Sequence, residues 1–419
     1  MRLFETLLFL LCMTDAFARF RFAGRQPIWT SAIPLISFFF AIIHIAGEGV
    51  RWQMIPIYLV VLSTFTISLV RTFQTGEIAI GGERLSRSVA CLIILCAIVS
   101  LTAGTALPVF ELDPPTGHYV VGTVDTELGT SGIRVRIHYP SDKARGDRAT
   151  YASGNFEEHR AYLALQYGFP ASLLSHLSLV RTWSFPAARP SGELPRFRVL
   201  ITCPEPNRPA THATIIAEDL ASRGFVVITP TAVDSAFDSV ENGTDRDAVL
   251  AEEIITRLES YDPGKEAGWL ADRLDFGSVG IYGLGKAGET AMEACIDGSF
   301  KAGASLGITP ATNKPTVPFL YLSPEGYQSS PQNVNATTYS ISLVGAMIDN
   351  FGDDAFVSPL TPAFGDFGSI DAYKTSRITS AYLGAFFNKH LTRGTVEPLL
   401  DDPADAYPEA VLTIHHPEE

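Results

Sequence analysis

Between Pro27 and Val109 the chain holds three apolar stretches with no Lys, Arg, Asp or Glu inside them: Pro27–Ile45, Ile55–Val70 and Ser88–Val109. Each approaches the roughly 20 residues that a helix needs to cross a hydrocarbon core. In lipid a backbone must satisfy its own polar groups, so runs of this kind admit helices and little else. Burial in a soluble core is the competing assignment, but three such runs in succession are hard to place there. A shorter apolar run, Thr6–Met13, is flanked by Glu5 and Asp15. It reads as a fourth span, with a signal peptide ending at Ala16-Phe17-Ala18 as the alternative. The leader carries little positive charge, which favours the span.

Charge orients these helices. Arg19, Arg21 and Arg25 precede the first long run, and Arg71, Arg84 and Arg87 lie between the second and third. The remaining connection has Arg51, offset by Glu48. The positive-inside rule puts both arginine-rich loops in the cytoplasm. Residues 1–110 are therefore expected to form a region of three to four transmembrane helices in the inner or plasma membrane. Residues 111–419 are expected to form an extracytoplasmic domain, periplasmic in a Gram-negative cell. Acidic residues (45) outnumber basic ones (31), for a formal charge of −14. That balance argues against nucleic acid as a partner. Cys12, Cys91 and Cys96 fall in apolar stretches, while Cys203 and Cys295 stand alone. No disulfide framework, metal site or cofactor is expected from this pattern.

After Pro114, Pro115 and Gly117 the pattern changes. Ile133–Tyr139 alternates as a half-buried strand does. Arg198–Thr202, Gly224–Ile228 and Ser278–Tyr282 are continuous apolar runs, as buried parallel strands are. Ala302–Leu306, Phe319–Leu322 and Thr338–Leu343 add more. Thr211–Ser222, Asp247–Ser260 and Ile378–His390 read as helices. Strands alternating with helices mean an α/β domain whose mostly parallel sheet is covered on both faces.

Between the strand Ser278–Tyr282 and a helix beginning near Glu289 lies Gly283-Leu284-Gly285-Lys286-Ala287-Gly288. Strand, tight turn and helix is where an α/β-hydrolase carries G-x-S-x-G. Here the central position is Gly285, which has no side chain to attack with. The same residues spell G-x-G-x-x-G, a dinucleotide fingerprint, but the acidic residue wanted about 20 positions on is replaced by Leu306-Gly307-Ile308.

From Pro27 to Gly394 the chain resembles the membrane-anchored bacterial relatives of platelet-activating factor acetylhydrolase, which are α/β-hydrolases. The resemblance is carried by Glu48–Pro56, Pro115–Thr123, Ser175–Thr182, Glu218–Val227, Ile370-Asp371, Arg377–Tyr382 and Ala385–Leu391. It implies an α/β-hydrolase fold behind the transmembrane bundle, and an ester hydrolase ancestry. By the same resemblance the nucleophile position matches Gly285, the acid Gly307 and the histidine Ile348. The oxyanion-wall His-Gly matches Cys203-Pro204, and Pro204 has no N–H to donate.

A Ser attacks, a His takes its proton and an Asp orients the His; stripped of these, such sites retain at most about 10³–10⁴-fold over water. The chain is therefore expected to be a pseudoenzyme, serving as a scaffold or accessory subunit of a membrane complex. The alternatives are a lipid or acyl-ligand binding protein and an active ester hydrolase with a relocated nucleophile. Candidates for the latter are Cys203, Ser305 and Ser323, with His212 the nearest base in sequence. A residual pocket would be lined by Cys203, Lys286, Met347 and Ile348. His176 and His390 read as structural, and Asp353 and Asp354 as surface or site residues with equal weight.

Overall fold

The computed structural model describes residues 2–23, 28–73, 83–128, 133–151, 156–168, 170–203, 210–232, 243–259, 268, 272–296, 298–308, 314–327, 334–392, 395–401 and 406–417. The chain divides into two units. The first comprises Met1–Phe110 with Pro170–Leu179 and Val357–Leu360; the second comprises Glu111–Phe169, Val180–Phe356 and Thr361–Glu419.

Among the described residues the first unit contains four α-helices, α1 (Leu3–Arg21), α2 (Ala32–Glu48), α3 (Ile55–Phe73) and α4 (Glu83–Ala106). Its polarity is inverted relative to a soluble bundle. Leu10, Phe17, Phe39, Leu59, Leu92 and Ile98 are exposed, whereas Glu5, Asp15, Arg19, His44 and Arg51 are buried. Two helical stretches, Trp52–Val70 and α4, are long and apolar enough to cross a bilayer. Helix α2 is apolar but shorter.

Helix α1 runs well past Met13, so the apolar run Thr6–Met13 understates it. The charges that bound that run in sequence are neutralised inside the bundle. Asp15 pairs with Arg19 one turn on at 2.9 Å, and Glu5 accepts from Arg51 Nη2 at 2.7 Å. Helix α4 passes close to this pair, since a Cβ on Gly104 would lie 2.8 Å from Arg51 Nη2.

The second unit is built on one ten-stranded sheet. Its strands are β1 (Val120–Leu128), β2 (Ile133–Ser141), β3 (Ser184–Pro186), β4 (Phe197–Cys203), β5 (Phe225–Ala232), β6 (Leu274–Leu284), β7 (Ala302–Leu306), β8 (Phe319–Pro324), β9 (Thr338–Leu343) and β10 (Ala410–His415). The order is β10-β9-β8-β7-β6-β4-β5-β2-β1-β3. From β5 to β9 all neighbours are parallel, while β2 and β10 flank them antiparallel.

The parallel strands alternate their side chains between two cores, as a period of two requires. Val199 and Ile201 point to one core with α7 (Gly243–Glu259) and α8 (Ala287–Ala294). Leu200 points to the other, with α6 (Thr214–Ser222) and α9 (Ala372–Leu391). The chain winds from β4 to β5 in one direction and from β6 to β9 in the other. Such a reversal opens a crevice at the carboxyl ends of β4 and β6, where α/β sheets bind ligands.

Candidate functional site

Three sequence-predicted positions meet at those strand ends. Gly285 follows the last residue of β6, and its N–H donates to Leu306 O at 2.8 Å. Gly307 follows β7, and its N–H donates to Leu322 O at 2.8 Å. Both adopt left-handed φ, 59° and 85°, which glycine tolerates without a Cβ penalty. Ile348 lies on the loop after β9. A Cβ on Gly307 would stand 3.7 Å from Ile348 Cγ2 and 3.6 Å from Phe351 Cδ2. Gly307 and Ile348, which the resemblance expects at the acid and base positions, are thus neighbours in space; one offers no side chain and the other offers hydrocarbon.

The remaining glycines of the fingerprint serve packing. A Cβ on Gly283 would fall 1.9 Å from Ala287 O, and one on Gly288 would fall 2.0 Å from Ser305 Oγ. Close approach of α8 to the sheet therefore accounts for both. Lys286 starts α8 and is exposed.

The relocated-nucleophile candidates are buried. Cys203 pairs in register with Gly283 and sits in the apolar core around β4. Ser305 Oγ donates to Ile308 O at 2.8 Å, and Ser323 is buried in β8. Pro204 lies outside the described residues.

The loop after β9 is tightly clamped. Asn350 Oδ1 accepts from Met347 N (2.8 Å) and Gly368 N (2.7 Å), and Asp349 Oδ2 accepts from Asp366 N at 2.8 Å. Met347 and Ile348 are half-buried.

Asp353 and Asp354 are buried, which decides against the surface alternative of the two readings left open for them. Asp353 accepts from Thr214 N (2.8 Å), Ile215 N (3.4 Å) and the Tyr151 hydroxyl (3.2 Å). A carboxyl at the first turn of α6 satisfies donors the helix leaves open. Burial holds its pKa well above the usual carboxylate range, against the lowering effect of those hydrogen bonds. Asp354 accepts from Tyr162 (3.0 Å) and Tyr167 (2.9 Å), and lies 3.4 Å from His212 Nε2. The His212 ring packs on Gly352, where a Cβ would come within 2.3 Å of it.

Sequence reasoning missed this network. Its signal is the spacing of His159, Leu163 and Tyr167, one buried face of α5 (Phe156–Tyr167). Desolvation lowers the His159 pKa to about 4. His390 lies 3.3 Å from the Tyr339 hydroxyl, and His176 Nδ1 lies 3.0 Å from Leu173 O, which gives both a structural role.

Among the described residues, Glu5, His44 and Glu48 of the first unit bring ligand atoms within 4.8 Å of one another. Their lone pairs are already engaged. Glu5 takes N–H groups from Arg2 (2.7 and 3.0 Å) and from Arg51 (2.7 Å). His44 lies 2.9 Å from Glu48 and 2.7 Å from Tyr58. A cation would have to displace two guanidinium groups, so the arrangement is that of an ion-pair network.

No protein-family profile matches the chain, and no curated protein matches it. Among solved structures it is similar to a ferulic acid esterase from Streptomyces cinnamoneus, with 22% identity and a TM-score of 0.55. The match covers 73% of this chain and 99% of that one. With this likeness and the strand order, the second unit has the α/β-hydrolase fold.

Proposed function

We propose that the chain is a catalytically degenerate member of the membrane-anchored hydrolases it resembles, acting as a scaffold or accessory subunit of a membrane complex. The observation that carries this reading is the meeting of Gly285, Gly307 and Ile348 at the strand ends where a triad belongs. Nucleophile, acid and base positions retain their place in the fold and lack their chemistry. Ile348 and Phe351 stand in van der Waals range of position 307, so the neighbours of the degenerate acid position are hydrocarbon. This favours a protein-contacting body over a ligand pocket at the old site. The inverted polarity of the first unit supports a helix bundle in lipid, with the hydrolase-fold unit extracytoplasmic by the arginine distribution.

Two measurements on the full chain test the proposal. A fluorophosphonate probe, which labels activated serines, should leave it unmodified. Native gels after mild solubilisation should place it above the size of its 45.4 kDa chain with its detergent shell. Migration as a lone monomer in every mild detergent refutes the scaffold role, and covalent labelling refutes the loss of catalysis.

A further inference from the structure

We propose that a cleft at the β1/β3 edge of the second unit binds a phosphoryl group carried on a small organic body. The cleft encloses about 510 Å³, within the range of small-molecule sites. It lies apart from the degenerate triad. β1 stands four positions from β6 in the sheet, about 19 Å at ordinary strand spacing.

Two arginines give the cleft its chemistry. Arg148 and Arg181 both line it. Arg181 Nη1 donates to Arg148 O at 3.4 Å, and Thr150 bridges Arg181 in an isolated antiparallel pair. The Arg148 guanidinium sits 3.5 Å from the centre of the Trp183 ring, an arrangement that orients its plane. Among the described residues neither arginine has a carboxylate within ion-pair distance. Asp125, also lining the cleft, is held by Arg136 through bonds of 2.7 and 2.9 Å. That leaves Asp147 as the one lining carboxylate without an ion-pair partner among the described residues.

The lining holds two arginines and two aspartates, and with Asp125 committed to Arg136 outside the lining, Arg148 and Arg181 face Asp147 as the one carboxylate not already paired among the described residues. Two guanidinium groups that line one cleft without a carboxylate partner among the described residues match an anion, and a phosphoryl group offers three oxygens to such donors. The backbone adds an independent sign. Ala187 is the one described non-glycine residue with left-handed φ, 49°, and it lines the same cleft. Strain of this kind persists where the surroundings over-determine it, and it concentrates at ligand sites. Val124, Ala149 and Pro186 supply apolar lining for the uncharged part of the ligand.

The test is calorimetric titration of the full chain, held in phosphatidylcholine nanodiscs, with glycerol 3-phosphate and with acetate as control. Glycerol 3-phosphate should bind saturably at one site and acetate should not. Arg148→Gln and Arg181→Gln should each weaken binding about tenfold, as loss of a charge-assisted bond does. Asp147→Asn alters an exposed carboxylate and should tighten binding a few fold, which keeps the proposal testable if an arginine variant misfolds. Doping the discs with phosphatidic acid separates the sources. Suppressed glycerol 3-phosphate binding assigns the site to a lipid headgroup; unchanged binding assigns it to a soluble phosphate monoester. Absence of saturable binding, equal binding of acetate, or binding indifferent to all three substitutions overturns the proposal.

Discussion

Glu5→Gln should loosen the first unit more than any exposed substitution in it. Glu5 is fully buried and receives N–H groups from Arg2 and Arg51, while Arg51 itself is 3% exposed. Removing one partner of a buried ion pair costs about 3–5 kcal/mol, because the other charge stays buried uncompensated. Gln retains one acceptor oxygen and with it a neutral hydrogen bond of about 1 kcal/mol. The net expectation is therefore a loss of about 2–4 kcal/mol. Arg51→Met in the same chain removes the stranded charge and should recover more than half of that loss. The two substitutions should thus couple by about 2 kcal/mol, within the range for residues in direct contact. The assay is reversible SDS unfolding in mixed micelles, followed by tryptophan fluorescence, for both single variants and the double. A single-variant loss below about 1 kcal/mol, or strict additivity, would refute the reasoning. Either result would mean that α1 does not hold Arg51 in the mature protein, as expected of a cleaved leader.

Three further outcomes follow from the second unit. Burial holds His138 and His159 neutral, with pKa values lowered to about 3 and about 4. The unfolded chain therefore takes up protons first as pH falls below about 6.5, and stability present at pH 7 should decline by about 1.4 kcal/mol per pH unit for each imidazole. Thermal unfolding of the full chain and of His159→Gln between pH 7 and pH 5 reads this as a difference in slope, because the raised Asp353 carboxyl acts in the opposite direction in both; parallel profiles contradict it. Gly288→Ala should cost about 1–3 kcal/mol by overpacking against Ser305, a loss that Ser305→Ala should partly relieve in denaturant titrations. Asp353→Ala should cost about 1–3 kcal/mol by orphaning the Thr214 and Ile215 N–H groups, with Asp353→Asn milder; equal losses would contradict its bonding role.

What the sequence disclosed depended on how local the physics was. Strands β4, β5 and β6 are buried on both faces, so their apolar runs announced them directly. The turn at Gly285 was legible because strand, glycine turn and helix are contiguous. The spacing alone could not say that Gly283 and Gly288 serve packing, because the atoms they avoid are fixed only once α8 docks beside β7. Helix α1 looked short because hydropathy counts Glu5, Asp15 and Arg19 as polar, whereas in the bundle each meets an opposite charge. The network of Asp353, Asp354 and His212 was opaque for the same reason. Tyr151 and α5 lie roughly 190–200 residues before the aspartates they bond, and no local pattern carries such a pairing. The cleft near β1 and β3 was equally hidden, since its two arginines converge only through a bridge between separate loops.

The central claim is the loss of ester chemistry at a site whose architecture remains. It is met most directly by steady-state hydrolysis of short-chain p-nitrophenyl esters and glycerophospholipid esters by the full chain in nanodiscs, with Cys203→Ala as the paired control. The account predicts turnover no greater than that of Cys203→Ala, and no faster than the residual about 10³–10⁴-fold over water that a stripped triad allows. Turnover that disappears in Cys203→Ala would contradict it and identify a relocated nucleophile at the end of β4.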